Sequence, residues 1–330
     1  MPAPPDLSII IDLETMEITG DILLDRQVAL WLQAAQRIAP KTFELIICTR
    51  QQAAIPPHAS AHVKIIRGTG EGYYALKNEA ARQASGTYLF FSDVDCRPEP
   101  DFFVRLLHYF ETTGALILGG RTFYDGRDFA SRACTVVSFG RLHGVDQVPP
   151  LEWYLAHNIA IRRDAFPACF GPYTGRYGGD EFITACARER GLPLPVYQDL
   201  ILHHESAAHS FRGLMDRHLR EIIRTAFVAH GAKLTPAQVF RQARKTGRER
   251  WLTFKKRASR FNFSPRERRR ARWLFKRYQL LDMLCVLVFF LRPRLLARWI
   301  AYQFGDVTTC SPVLPVPPDS STHDTRLHPA

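Results

Sequence analysis

"GYYALKNEAARQASGTYLFFSDVDCRPEPDFF", residues 72–103, decides the fold. Tyr73–Ala84 is helix-forming, Ser85-Gly86 is a turn pair, and residues 87–95 form an apolar run that ends on Asp93-Val94-Asp95. A proline-bearing turn and a second helix follow. Ligands of open α/β sheets gather beyond the carboxyl ends of the strands. Two carboxylates one residue apart, where strand alternation breaks down, can both approach one hard cation. Mg²⁺ or Mn²⁺ is held in this way, by a few oxygens and by substrate phosphates.

Reading outward, "LSIII" (7–11), "FELIIC" (43–48) and "VKIIR" (63–67) are short, Ile-rich runs of the buried-strand type. Between the first two, "DILLDRQVALWLQAAQRI" has apolar residues at helical spacing. "ALILGG" (115–120), "NIAIRR" (158–163) and "LPVYQDLILHH" (194–204) add three strands, and "DEFITACARER" (180–190) a helix closed by Gly191 and Pro193. The alternation predicts an open, mostly parallel sheet with covering helices.

Composition bounds the rest. A hydrophobic content of 46% over 330 residues is ample for a packed core. The seven cysteines are an odd, scattered set without zinc spacing, and read as free thiols in a reducing compartment. The start of the chain lacks a secretory pattern. The net charge of +12 is concentrated: Arg241–Arg277 holds 16 Lys/Arg against Glu249 and Glu267, and the remainder is close to neutral. That segment predicts an anionic partner. It is interleaved with aromatics and runs into "LLDMLCVLVFFL" (280–291), which at 12 residues falls short of the ~20 a membrane-spanning helix needs. A basic, Trp/Phe-bearing helix suits the headgroup layer of an anionic membrane. Packing of 280–291 as a core helix ranks below that reading, and nucleic acid third. The Pro/Ser-rich tail is expected to be disordered.

The 72–103 stretch resembles the central block of family 2 glycosyltransferases, which have the GT-A fold. Lys77-Asn78 stands at the family's Arg-Asn position, Ala84-Ser85-Gly86 at its turn, and Asp93/Asp95 at its DxD motif. A second block, "AHNIAIRRDAFPACFGPYTGRYGGDEFITACARERGLPLPVYQDLILHH" (156–204), is similar to the acceptor half, with Asn158, Arg162-Arg163, Asp180, Gly191 and His203 in the family's order. The resemblance implies an α/β GT-A sheet, mixed and mostly parallel, with helices on both faces. The domain would span residues 1–235, followed by a basic, helical and membrane-associating extension (236–305) and a disordered tail (306–330). The resemblance also implies a hexosyltransferase-type enzyme with a nucleotide-diphosphate sugar donor and Mn²⁺ or Mg²⁺ as cofactor. In this reading Asp95, Asp93 and His203 hold the metal, Asp93, Lys77 and Asn78 contact the nucleotide sugar, and Asp180 is the base of an inverting displacement. The acceptor would be a lipid-linked or cell-envelope saccharide, and the location the cytoplasm, peripheral on the inner membrane face.

"RYGGDEF" (176–182) spells the signature of diguanylate cyclases, but the upstream stretch 131–157 lacks their acidic metal motif, and the string opens a helix instead of a hairpin turn. A short match alone is weak support for an activity. Other departures concern the donor. The first strand ends "IDLETME" and the second "CTRQQ", so the family's base-reading carboxylate is missing, with Asp12 or Glu14 as stand-ins; Gly179 replaces the acid before Asp180. Read by itself, Asp180 is foremost a helix N-cap, and His203 a surface or partly buried histidine. A non-catalytic GT-A binding protein is the rival class.

Overall fold

The computed structural model describes residues 4–13, 24–50, 62–69, 73–125, 129, 132–133, 136, 155–166, 179–193, 195–205, 236–258, 263–292 and 294. Glu14 and the tail lie outside this set. Among the described residues, eight strands form one sheet: β1 (Leu7–Asp12), β2 (Phe43–Thr49), β3 (Val63–Arg67), β4 (Tyr88–Asp93), β5 (Cys96–Pro98), β6 (Ile117–Asp125), β7 (Ile159–Arg162) and β8 (Val196–Glu205). Their order is β3-β2-β1-β4-β7-β6-β8-β5. The β1–β2, β2–β3, β1–β4 and β6–β8 pairs are parallel; β7 is antiparallel to both β4 and β6, and β5 to β8. The expected mixed, mostly parallel sheet is therefore found. The short β5 was not legible as a strand, because three residues after a turn have no periodicity to read.

Strand alternation divides the core in two. Leu7, Ile9 and Ile11 face α1 (Leu24–Gln36) and α3 (Phe102–Thr113), where Trp31, Phe90, Phe102 and Phe103 make mutual edge and tilted ring contacts. Ile10, Leu89 and Phe91 face the other way, onto α2 (Tyr73–Gln83) and α4 (Gly179–Glu189) through Leu76, Ala80, Ile183 and Ala187. Helices thus cover both faces. At the amino edge Glu44 clamps three segments, accepting from Ser8 Oγ (2.6 Å), Ser85 N (2.7 Å) and Ser85 Oγ (2.9 Å). Gly86 lies so close to β1 that a Cβ there would sit 2.5 Å from Ser8 Oγ and 2.6 Å from Ser8 N.

After β8, α5 (Pro236–Arg257) and α6 (Pro265–Leu291) form a helical hairpin. Ser264 and Glu267 make a reciprocal capping box at the start of α6, with Ser264 N donating to Glu267 (2.8 Å) and Glu267 N to Ser264 Oγ (3.3 Å). Phe254, Phe263, Ala271 and Phe275 pack together with Ala133 and Val136, and Arg132 pairs with Glu267. No helix among the described residues is long and apolar enough to cross a membrane.

Candidate functional site

β1 and β4 end at the same level, with Asp12 in register with Asp93. In a sheet of parallel neighbours this places two carboxylates side by side at the carboxyl rim. Lys77, on α2, reaches over the sheet between them. Its ammonium lies 3.0 Å from Asp12 Oδ2 and 2.5 Å from Asp93 Oδ1, and donates to Ala156 O at 3.3 Å. The Lys77 side chain is 1% exposed and that of Asp12 0%. Burial works against the charged ammonium, but Asp93 and Asp12 outweigh it and hold the Lys77 pKa above its ordinary value. Burial pushes the Asp12 carboxyl well above its usual range, with Lys77 pulling it back only in part and Asp93 adding to the rise. For Asp93 burial acts the same way, yet Lys77, His204 and His157 hold its carboxyl well below the usual range. Burial and the Lys77 contact thus push the two carboxyls in opposite directions, Asp12 toward its neutral form and Asp93 toward its charged one.

β5 completes the rim. The turn at Val94-Asp95 sends the chain back along β8, with Cys96 opposite His204. His204 Nε2 consequently lies 3.6 Å from Asp95 Oδ1 and 3.8 Å from Asp93 Oδ2. His157, on the loop entering β7, meets the His204 ring edge-on at 4.9 Å, and its carbonyl accepts from Ser92 Oγ (2.9 Å). Donor atoms of Asp93, His157 and His204 lie within 4.8 Å of one another, as do those of Asp95, Cys96 and His204. Two carboxylates and an imidazole are a donor set suited to Mn²⁺ or Mg²⁺. The separations are those of ligands that need only small movements to share one ion. The Cys96 thiol is pushed up by burial and by Asp95 and Asp93, so it remains protonated there.

Of the residues singled out from sequence, Lys77, Asp93 and Asp95 meet in this cluster. Asn78 is buried beside Lys77 on α2. His203 points to the other face of β8: its ring stacks on Phe123 (5.6 Å) and its Nε2 stands 4.0 Å from Glu99. Strand alternation holds the signal that separates the neighbours. Leu200, Leu202 and His204 are buried in phase, which turns His203 outward. Asp12 was named only as a stand-in for a missing carboxylate; its pairing with Lys77 depends on the β1–β4 register. His157 had no signal beyond its place next to Asn158. Asp180 lies in the first turn of α4, and its side chain is outside the described residues. Gly179–Phe182 is helical, as read for the "GGDEF" string.

The carboxyl rim of a mixed α/β sheet thus brings three carboxylates, a buried lysine and two histidines together. Residues 49–170 match the family model "Glycosyl transferase family 2", a segment that includes Lys77, Asp93, Asp95 and His157. Over 158 residues it is 26% identical to glycosyltransferase AglE of Haloferax volcanii, covering 47% of this chain and 51% of that protein. The chain thus spans about half the length of the curated relative it matches. Among solved structures, it is similar to the mannosyltransferase PcManGT from Pyrobaculum calidifontis in complex with GDP-Man and Mn²⁺ (14% identity, 88% of each chain, TM-score 0.47). Glucosyl-3-phosphoglycerate synthase from Mycobacterium tuberculosis, in complex with Mn²⁺, UDP and phosphoglyceric acid, is also similar (15% identity, 70% and 80% covered, TM-score 0.43).

Proposed function

We propose that the protein transfers a sugar from a nucleotide-diphosphate sugar to an acceptor hydroxyl with inversion at the anomeric carbon. The observation that carries this reading is the convergence of Lys77, Asp93, Asp95 and His204 on one rim of the sheet. Asp93, Asp95 and His204 would hold a divalent cation; bound there, the cation neutralises charge on the departing nucleoside diphosphate. Lys77 fixes Asp93 through Oδ1 and leaves Oδ2 facing His204. Asp180 is the base. It accepts the acceptor hydroxyl's proton as that oxygen bonds to the anomeric carbon and the carbon–oxygen bond to the diphosphate breaks. The connectivity supports this role: α4 leads into the start of β8, so its first turn is directed toward the rim where β1 and β4 end. The basic C-terminal hairpin supports an acceptor at an anionic membrane surface, a lipid-linked or cell-envelope saccharide, with the protein peripheral on the cytoplasmic face.

The test is nucleoside-diphosphate release from a set of nucleotide sugars with Mn²⁺, alongside calorimetric binding of the same donors. Asp180→Asn is expected to keep donor binding and lose transfer, and Asp95→Ala to lose metal-dependent donor binding. Full transfer by Asp180→Asn would reject the assigned base. A binding-only reading is favoured by one observation: β2 ends on Cys48-Thr49 without a carboxylate, and Asp12 is buried under Lys77. Donor binding without turnover of any donor–acceptor pair, and without donor hydrolysis, would select it.

A further inference from the structure

α5 and α6 leave a basic cleft between them, of about 630 Å³. Arg241, Arg244, Lys245 and Arg248 line it from α5, at the i, i+3, i+4, i+7 spacing of one helical face, and Arg272 and Lys276 from α6. Trp251 and Phe275 form its floor, and no carboxylate is among the described residues that line it. Gln279 Nε2 donates to Arg244 O at 3.3 Å and ties the two walls together. Lys245 has one acid nearby, Glu249 at 4.0 Å on α5; six cations around one cleft still repel one another, and an anion entering it would relieve that repulsion.

A second observation comes from the neighbouring face of α6. Trp273, Leu280, Leu284, Leu287 and Leu291 are 67%, 58%, 50%, 38% and 68% exposed. Their spacing of 7, 4, 3 and 4 residues puts all five on one stripe of a 3.6-residue helix. Arg266, Arg269 and Arg277 are exposed and share that face by the same spacing. The stripe is basic toward the start of α6 and apolar toward its end. Lys276, over the Trp273 ring at 5.9 Å, stands between stripe and cleft. A nucleic acid would match the cations and leave the leucines in water. An anionic bilayer matches both, with phosphates at the level of the arginines and acyl chains beneath.

We propose that α5 and α6 form a docking surface for a bilayer rich in anionic phospholipid, headgroup phosphates entering the cleft and the leucines of α6 entering the acyl boundary. This rests on the reading of the C-terminal hairpin as membrane-facing and names the surface that does it; the sugar-transfer chemistry is independent of it.

The experiment is co-sedimentation of the full chain with vesicles of phosphatidylglycerol and phosphatidylcholine, or of phosphatidylcholine alone, over a range of salt. Wild type is expected on the anionic vesicles, with partitioning that falls as salt rises. The triple variant Arg244→Gln, Arg248→Gln, Arg272→Gln should weaken anionic binding about a hundredfold and flatten the salt dependence. Leu284→Ser, Leu287→Ser, Leu291→Ser together should weaken it at least ~10-fold at every salt concentration. Far-UV circular dichroism and the melting midpoint establish that both variants fold, and the wild-type salt titration requires no variant. Wild-type-like partitioning of both variants would overturn this surface while leaving membrane attachment standing. Absence of wild type from anionic vesicles, or tighter binding to an RNA oligonucleotide at the same salt, would overturn both.

Discussion

The Lys77 cluster makes a prediction whose size follows from burial. Replacing Lys77 by Met keeps the side-chain length but removes the ammonium that stands within 3.0 Å of two inward-facing carboxylates, Asp12 and Asp93. Removing one partner of a buried pair costs about 3–5 kcal/mol, because the remaining charge loses its compensation. Against a total stability of ~5–15 kcal/mol this lowers the urea midpoint substantially. Asp12→Asn should cost less, ~1 kcal/mol, since Asp12 is the member pushed toward its neutral form and Asn is close to it in shape. The double variant should then be more stable than the sum of the two losses implies. With Asn at position 12, loss of the ammonium no longer requires a second carboxyl to be buried charged or to be protonated, and the one left, Asp93, is 15% exposed and faces His204. A non-additivity of at least ~1.5 kcal/mol is expected from urea unfolding with chelator present. Additive effects within ~0.5 kcal/mol, or a Lys77→Met protein with the wild-type midpoint, would refute the claim that Lys77 holds the two strand ends together.

The two adjacent histidines separate in a metal-binding assay. His204→Ala should weaken Mn²⁺ affinity about 10-fold or more by calorimetry, and His203→Ala should change it less, as expected from their opposite faces on β8. Equal losses would argue that both imidazoles reach the ion. Glu44 is expected to govern part of the acid stability. Burial opposes its charged form, but the Ser8 and Ser85 hydrogen bonds and Lys64 hold its carboxyl below the usual glutamate range. Its contribution is therefore present above the unfolded glutamate range and lost as pH falls through the lowered folded value. Glu44→Gln should cost ~1–2 kcal/mol at pH 7 and progressively less as pH falls, by denaturant unfolding; a pH-independent deficit would remove the charge from the account. Gly86→Ala should cost about 1–3 kcal/mol through overpacking on β1, since the clash is with backbone as well as Ser8 Oγ. An unchanged melting midpoint would contradict that close approach.

The residues from Gly72 to Phe103 determined a great deal unaided. A helix, a turn and a buried strand ending on two carboxylates are local patterns, and local patterns are what a linear chain displays. The runs 7–11, 43–48 and 63–67 were legible as strands for the same reason: each is a short, Ile-rich run, fully or largely buried in the first two and alternating between buried and exposed in the third. The basic hairpin was legible as charge. Which groups meet was decided by tertiary structure. Asp12 joins Asp93 through the parallel register of β1 and β4, and Asp95 joins His204 through the antiparallel register of β5 and β8. Neither register is written in the residues at the rim, because register is set by how whole strands bury their alternate side chains. Likewise the sequence shows that 280–291 is apolar, but only the packing of α6 on α5 decides which of its leucines turn away from the protein, since a helix has many faces and a partner covers just one.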